Sequence, residues 1–181
     1  MKVTETNLDG CVVLEPTIFG DDRGYFFESF NVKRFNDIVG KEVNFVQDNQ
    51  SFSSRGVVRG IHYQLGDFAQ AKLVRVLEGK VLDVAVDLRK NSPTFGQHYS
   101  IELSAENKKQ LFIPRGFGHG FSVLSETAEF FYKCDNFYDK LSEGGIIFND
   151  SSIDIDWKLP MNVIKVSKKD LELPTLAMAS L

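Results

Sequence analysis

From Val81 to Arg89 the chain alternates. Leu82, Val84, Val86 and Leu88 interleave with Val81, Asp83, Ala85, Asp87 and Arg89. A period of two is the mark of a β-strand, so one face should meet an apolar core and the other, with its two carboxylates, something more polar. The preceding run, Lys72 to Leu77, is also β-rich, and Glu78-Gly79-Lys80 predicts a hairpin turn between the two. Further strands are expected at Val12 to Glu15, Tyr25 to Phe30, Asn44 to Phe52, His98 to Leu103, Gln110 to Ile113, Gly120 to Leu124, Ala128 to Cys134 and Ile146 to Phe148. Only Val32 to Val39 and Ala105 to Lys109 read as helical. Turn signals recur at intervals too short for βαβ crossovers, which leaves an antiparallel, all-β domain of sandwich or barrel type.

Composition narrows this picture without changing it. At 181 residues, with 43% hydrophobic positions and 16 Phe, the chain suits one compact domain with an ample core. That domain is expected to span 1–181, with a core barrel over roughly 43–150 and an extension over roughly 151–181. A net charge of −4 gives no global attraction to nucleic acid or an anionic membrane, so an anionic ligand must be held by particular residues. The first residues, Met1 to Asn7, carry no uninterrupted apolar run, and no later segment nears the ~20 apolar residues of a membrane span, so a cytoplasmic location is expected. Cys11 and Cys134 stand apart, without CxxC spacing, and read as reduced packing residues.

Candidate chemistry concentrates in Arg59-Gly60-Ile61-His62-Tyr63-Gln64 and in Lys72, on the next segment, in a chain with only three histidines. Neutral imidazole is a competent base near pH 7, and a fixed cation stabilises the oxyanion formed when a proton leaves carbon next to a carbonyl. A second cluster, Pro114-x-Gly116-x-x-His119-Gly120, ends one strand, turns tightly and starts another. It resembles the second signature of the cupin superfamily, whose barrels often hold a metal. A metal-binding cupin would show His-x-His in the first signature; this chain has His62-Tyr63-Gln64. The second imidazole ligand is missing, so no metal is expected.

A closer resemblance spans nearly the whole chain. Asp22-Arg23-Gly24-Tyr25-Phe26-Phe27-Glu28, Gln47-Asp48-Asn49-x-Ser51, the Arg59 to Gln64 block, Asp83 to Gly96, Pro114-x-Gly116-Phe117-x-His119-Gly120-Phe121 and Ser167-Lys168-Lys169-Asp170 occur in the order found in dTDP-4-dehydrorhamnose 3,5-epimerases. The resemblance implies a cupin-like jelly-roll β-barrel with a few short peripheral helices. It further implies a homodimer without metal or cofactor, acting on dTDP-4-dehydro-6-deoxy-D-glucose. The implied roles are His62 as base, Asp170 as its hydrogen-bond partner, Lys72 at the enolate oxygen and Tyr132 as proton donor on the opposite face. Arg23, Arg59 and Lys168 would meet the diphosphate or a carbonyl, and Tyr138 would stack on thymine. Glu28, Gln47, Asp48, Asn49, Glu143 and His119 would contact sugar or base. Apart from the resemblance, Asp83, on the polar face of its strand, is a hydrogen-bond candidate for His119. The same base and lysine would also serve a 3- or 5-epimerase or a ketoisomerase, and a non-catalytic carbohydrate-binding cupin is a third reading. Arg115 departs from the family pattern at a loop position, where it is expected to alter the rim. The apolar segment 176–181 suggests no role.

Overall fold

The structure, a computed structural model covering residues 1–181, is built from eleven strands and two short helices. In chain order they are β1 (Lys2–Glu5), β2 (Val12–Glu15), β3 (Phe19–Asp21), β4 (Gly24–Phe26), α1 (Val32–Val39), β5 (Gln47–Ser54), β6 (Val58–Gln64), β7 (Lys72–Asp87), β8 (His98–Ser104), β9 (Gln110–Ile113), β10 (Phe117–Cys134), β11 (Glu143–Gly145) and α2 (Lys168–Leu171). All strand pairs are antiparallel. No helix is long and apolar enough to cross a membrane.

Two long strands organise everything else. The first half of β7 pairs with β9 and with the second half of β10, and its second half pairs with β8 and the first half of β10. Strand β5 flanks the second half of β10, and β6, then β11, flank the first half. Strands β1 and β2, which precede the 43–150 core expected from sequence, extend the sheet beyond β9. The result is a jelly-roll-like pair of sheets, ordered β1-β2-β9-β7-β10-β5 and β8-β7-β10-β6-β11, that share β7 and β10 and do not close into a barrel.

The expected hairpin at Glu78-Gly79-Lys80 is therefore absent, and β7 runs straight through it. Gly79 has φ +74°, the property that also suits a glycine to a turn, but here it serves a bulge that lets the strand bend between sheets. The ladder slips opposite it, between Val123 and Ala128 and again between Glu129 and Phe130, so the expected strands 120–124 and 128–134 join as β10. Three smaller expectations also shift. Ala105 to Lys109 is a turn, in which Asn107 Oδ1 accepts from the Ser104 and Lys109 backbone N–H groups. The strand predicted at 25–30 stops at Phe26, and that predicted at 146–148 lies instead at Glu143–Gly145. Helix α1 matches its predicted bounds, capped by Asn31, whose side chain accepts from the Arg34 N–H, and ended by left-handed Gly40.

Both faces of the alternating segment in β7 are buried, contrary to the one-sided reading. Between the sheets lie Val74, Val76, Val81, Ala85, Phe121 and Phe130. Behind the second sheet, Leu82, Val84, Val86 and Leu88 pack with Ile61 and Tyr63 under Ile146, Phe148, Ile153 and Trp157, with Leu176, Ala179 and Leu181 from the chain end joining them. Behind the first sheet, Leu73 and Phe112 meet Phe35 of α1. Segment 176–181 is thus part of the cover on the second sheet, and Tyr63 OH donates to Ser180 O across 2.8 Å.

The carboxylates on the strand's other face are both fully buried, and they serve different ends. Asp87 accepts from Arg89 Nε (2.9 Å) and Nη2 (2.8 Å), Ser92 Oγ and Thr94 Oγ1, tying down the loop after β7. Burial opposes its charge, but these donors outweigh that and hold its carboxyl far below the usual range. The depressed value makes its contribution full above the unfolded carboxylate pKa of ~3.9 and lost as pH falls below it. Asp87→Asn should therefore cost roughly 1.5–3 kcal/mol at pH 7, the range for hydrogen bonds to a charged group. In urea titrations the gap to wild type should shrink progressively below pH 4; an equal gap at pH 7 and pH 3 would contradict the assignment.

Candidate active site

Because β7 and β10 bend through both sheets, their inward side chains surround one opening. Register sets the neighbours: His119 lies opposite His62 on β6, and Tyr132 lies opposite Asn49 on β5. Together with Lys72, Arg59, Tyr138 and Glu143 they line a cavity of about 310 Å³. Phe121 lines it, backed by Phe130, which stacks on Phe121 at 4.3 Å and on His119 at 5.8 Å between ring centroids. At the crossing of β6 and β10 the backbones touch so closely that a Cβ on Gly60 would meet His119 O at 2.5 Å and Gly120 Cα at 2.7 Å. Only glycine fits there, which accounts for the Arg-Gly-Ile-His spacing.

His62 Nε2 lies 2.9 Å from Asp170 Oδ1, and the carboxylate's other oxygen accepts from the Gly60 N–H at 3.3 Å. The carboxylate is in turn set by α2, where Ser167 Oγ caps the Asp170 N–H. Asp170 is thus both a first-turn helix residue and the histidine's partner. Burial would raise its carboxyl, yet the hydrogen bonds and charge of His62 and the Gly60 N–H keep it below the usual range. With an ionised carboxylate accepting at Nε2, the lone pair of the neutral ring sits on Nδ1.

Lys72 forms no ion pair within 4 Å and lies 5.8 Å from the Tyr132 ring centroid. Burial pushes its ammonium below the usual lysine range, against the pull of Asp83 and Glu143. Burial pushes the Tyr132 phenol up, with Arg59 opposing, so the hydroxyl stays protonated through neutral pH. His119 Nε2 sits 2.9 Å from Asp83 Oδ2, the pairing expected from sequence, and burial pushes this imidazole down. Arg59 donates from Nε and Nη2 to Ser53 Oγ, both at 3.1 Å. At the rim, Glu143 Oε2 accepts from Tyr138 OH (3.0 Å) and Lys169 Nζ (2.6 Å). Desolvation of Glu143 works against its charge, but these two donors hold its carboxyl low.

Several expected residues sit elsewhere. Gln47 stands just behind the lining, donating to Asn49 Oδ1 and accepting from the Tyr138 N–H. Asp48 points outward from β5 into an ion pair with Lys133, because alternate residues of a strand face opposite sides. Glu28 braces the start of α1 through Arg34 and Asn31. Arg23 lies on the exposed β3–β4 hairpin, pairs with Asp21 and lines no part of the cavity. Lys168 is exposed and away from the lining, whereas Lys169, which sequence reasoning passed over, reaches Glu143. Gln70 also lines the cavity unpredicted, held by Asn136 O. No single-sequence signal separates Lys168 from Lys169, since the distinction is which side of one helical turn faces β11. Gln64, at the position of the missing metal ligand, clamps three loop groups: it donates to Phe68 O and Phe137 O and accepts from the Asp139 N–H. Arg115 binds Asp135, whose other oxygen accepts from the Ala71 N–H, so it braces the strand ends that carry Lys72 and Tyr132.

An ordered imidazole with a carboxylate partner, an ammonium and a protonated phenol around one cavity can remove a proton from carbon, stabilise the enolate and return a proton. Comparison with known proteins points the same way. Residues 5–178 match the sequence profile of dTDP-4-dehydrorhamnose 3,5-epimerase. The enzyme of that name from Shigella flexneri is 55% identical over 171 residues, covering 94% of this chain and 93% of its own. The crystal structure of the Elizabethkingia anophelis enzyme superposes with a TM-score of 0.94 at 59% identity, covering 97% of this chain and 96% of its own. That of dTDP-6-deoxy-D-glucose-3,5-epimerase from Legionella pneumophila, in complex with dTDP-4-keto-L-rhamnose, gives 0.94 at 47% identity, covering 98% and 93%. The chain belongs to the dTDP-4-dehydrorhamnose 3,5-epimerase family, a family of epimerases.

Proposed function

We propose that this protein is a cytoplasmic epimerase that inverts C3 and C5 of dTDP-4-dehydro-6-deoxy-D-glucose, giving dTDP-4-dehydro-L-rhamnose. The observation that carries the mechanism is the 2.9 Å His62–Asp170 contact beside Lys72 and Tyr132 in one cavity. A C–H next to the C4 carbonyl loses its proton to His62 Nδ1, and Asp170 stabilises the imidazolium. Negative charge moves onto O4, where Lys72 meets it. Tyr132 then delivers its phenolic proton to the other face of the carbanion, inverting the centre. The carbonyl lies between C3 and C5, so the same groups serve both carbons, once His62 has released its proton to solvent and Tyr132 has regained one from it. His119 and Asn49 hold sugar hydroxyls, Arg59 the diphosphate, and Tyr138 the base, each from the cavity wall or rim.

Arg23 and Glu28 belong to the family's pattern, yet they lie away from their own chain's cavity. The hairpin beside them exposes Phe19, Tyr25 and Phe26, at 63%, 62% and 70%. Both observations favour a homodimer in which each hairpin covers apolar surface on a second copy and brings Arg23 to that copy's cavity.

Turnover in deuterium oxide, followed by NMR, should place deuterium at both C3 and C5. Label at one carbon alone would assign a 3- or 5-epimerase, and binding without any label would assign a carbohydrate-binding protein. Lys72→Ala should lower kcat by about 10²–10³, the usual loss when an oxyanion contact is removed. Its dTDP affinity, by calorimetry, should stay within a few-fold of wild type; equal losses in both would contradict the enolate role. Co-expressed Arg23→Ala and His62→Ala chains, each inactive alone, should regain about a quarter of wild-type activity if the site is completed across a dimer. No recovery would place Arg23 outside the partner's site.

A further inference from the structure

The mechanism requires Lys72 to be charged, yet the residues around it give that charge little support. Facing it are the Tyr132 ring and the Cys134 thiol on β10, Glu143 on β11, and the imidazoles of His62 and His119, with Arg59 adding positive charge near Tyr132. Glu143 is already committed to Lys169 and Tyr138. Cys134 is buried, which pushes its thiol up to about 11 and leaves it neutral. His119 is also neutral, because burial pushes it down. Asp83 remains.

Its position is specific. It lies on β7 itself, eleven residues beyond Lys72, and the bend of that strand at Gly79 turns both residues towards the same interior. Its side chain is 0% exposed and that of His119 7%. One carboxylate oxygen, Oδ2, meets His119 Nε2, while the other, Oδ1, is sealed from solvent with no hydrogen-bond donor on it. A buried carboxylate with a free oxygen costs several kcal/mol in isolation, and a nearby cation offsets that cost.

We propose that Asp83 is a positioning residue: it is the fixed counter-charge that keeps the Lys72 ammonium on the cavity wall protonated and, through Nε2, holds the His119 ring in place. It touches no substrate. Instead it sets the pH up to which Lys72 remains a cation, and the catalytic use of that cation rests on the function proposed above. Removing a negative neighbour disfavours the charged form of a lysine, so Asp83→Asn should make Lys72 lose its proton at lower pH.

The test is an NMR titration of lysine Nζ in substrate-free protein, assigned with Lys72→Arg. In Asp83→Asn the Lys72 midpoint should fall by about one pH unit or more. The basic limb of the kcat profile should move down with it, while KM for the sugar nucleotide changes less than about threefold. A purely structural role would lower kcat at every pH and leave the midpoint where it was, and that result overturns the proposal. Since the titration uses no substrate, it can fail while deuterium incorporation still supports the epimerase, and the reverse holds too. Should Asp83→Asn not fold, His119→Asn gives the opposite sign: with the whole carboxylate free for Lys72, the midpoint should rise. A fall there overturns the proposal equally.

Discussion

The two sheets share two strands, and the bend this imposes on β7 and β10 is the constraint from which the site follows. A flat strand would present Lys72 and Asp83 to regions about 35 Å apart, at ~3.3 Å per residue. Bent at Gly79, the same strand turns both inward, and its partner does the same for His119 and Tyr132. Three side chains from two strands, Lys72, His119 and Tyr132, thus line one cavity, with Asp83 behind them on His119. Sites on regular elements hold their geometry more tightly than sites on loops. The rest of the fold supports the bend: α1 packs behind one sheet, the chain from Ile146 onward behind the other, and the stacked Phe121 and Phe130 fill the angle between them.

Only the base depends on something outside these strands. His62 comes from β6, but its orientation depends on Asp170, in a four-residue helix that short-range propensity would hardly sustain. Packing holds that segment instead. Leu173 sits against Gly145, where any side chain would collide with it, Ile147 donates its N–H to Pro174 O, and the Leu176 N–H donates to Asp150. The C-terminal segment, opaque in the sequence, therefore closes the core and helps fix the helix that carries Asp170.

Much of this was legible in the residues. The helix at 32–39, the strands at 12–15 and 110–113, and the Asp83–His119 contact all follow from local pattern or from motif. What sequence misjudged has one physical root: a left-handed glycine between two β-runs fits a hairpin and a bulge equally well, and only the partner strand decides between them. The burial of both faces of β7 was hidden for a related reason, since alternation records the polarity of side chains and not the number of layers that cover them. The motif positions Asp48, Glu28, Arg23 and Lys168 lie outside the lining of their own chain's cavity. Asp48 is turned away by strand parity, Glu28 is taken up by a helix start, and Lys168 yields its place to its neighbour. Arg23 fits the homodimer proposed for it.

Inversion of a carbon centre requires a base and an acid on opposite sides of one ring, which β6 would supply through His62 and the bent β10 through Tyr132. A crystal structure of the His62→Asn variant with dTDP-4-dehydro-6-deoxy-D-glucose bound tests this most directly. The sugar should lie between residue 62 and Tyr132, with C3 or C5 about 3–3.5 Å from the side chain at 62 and Lys72 Nζ in hydrogen-bond reach of O4. A sugar with Tyr132 and residue 62 on the same face, or with O4 turned away from Lys72, would contradict it.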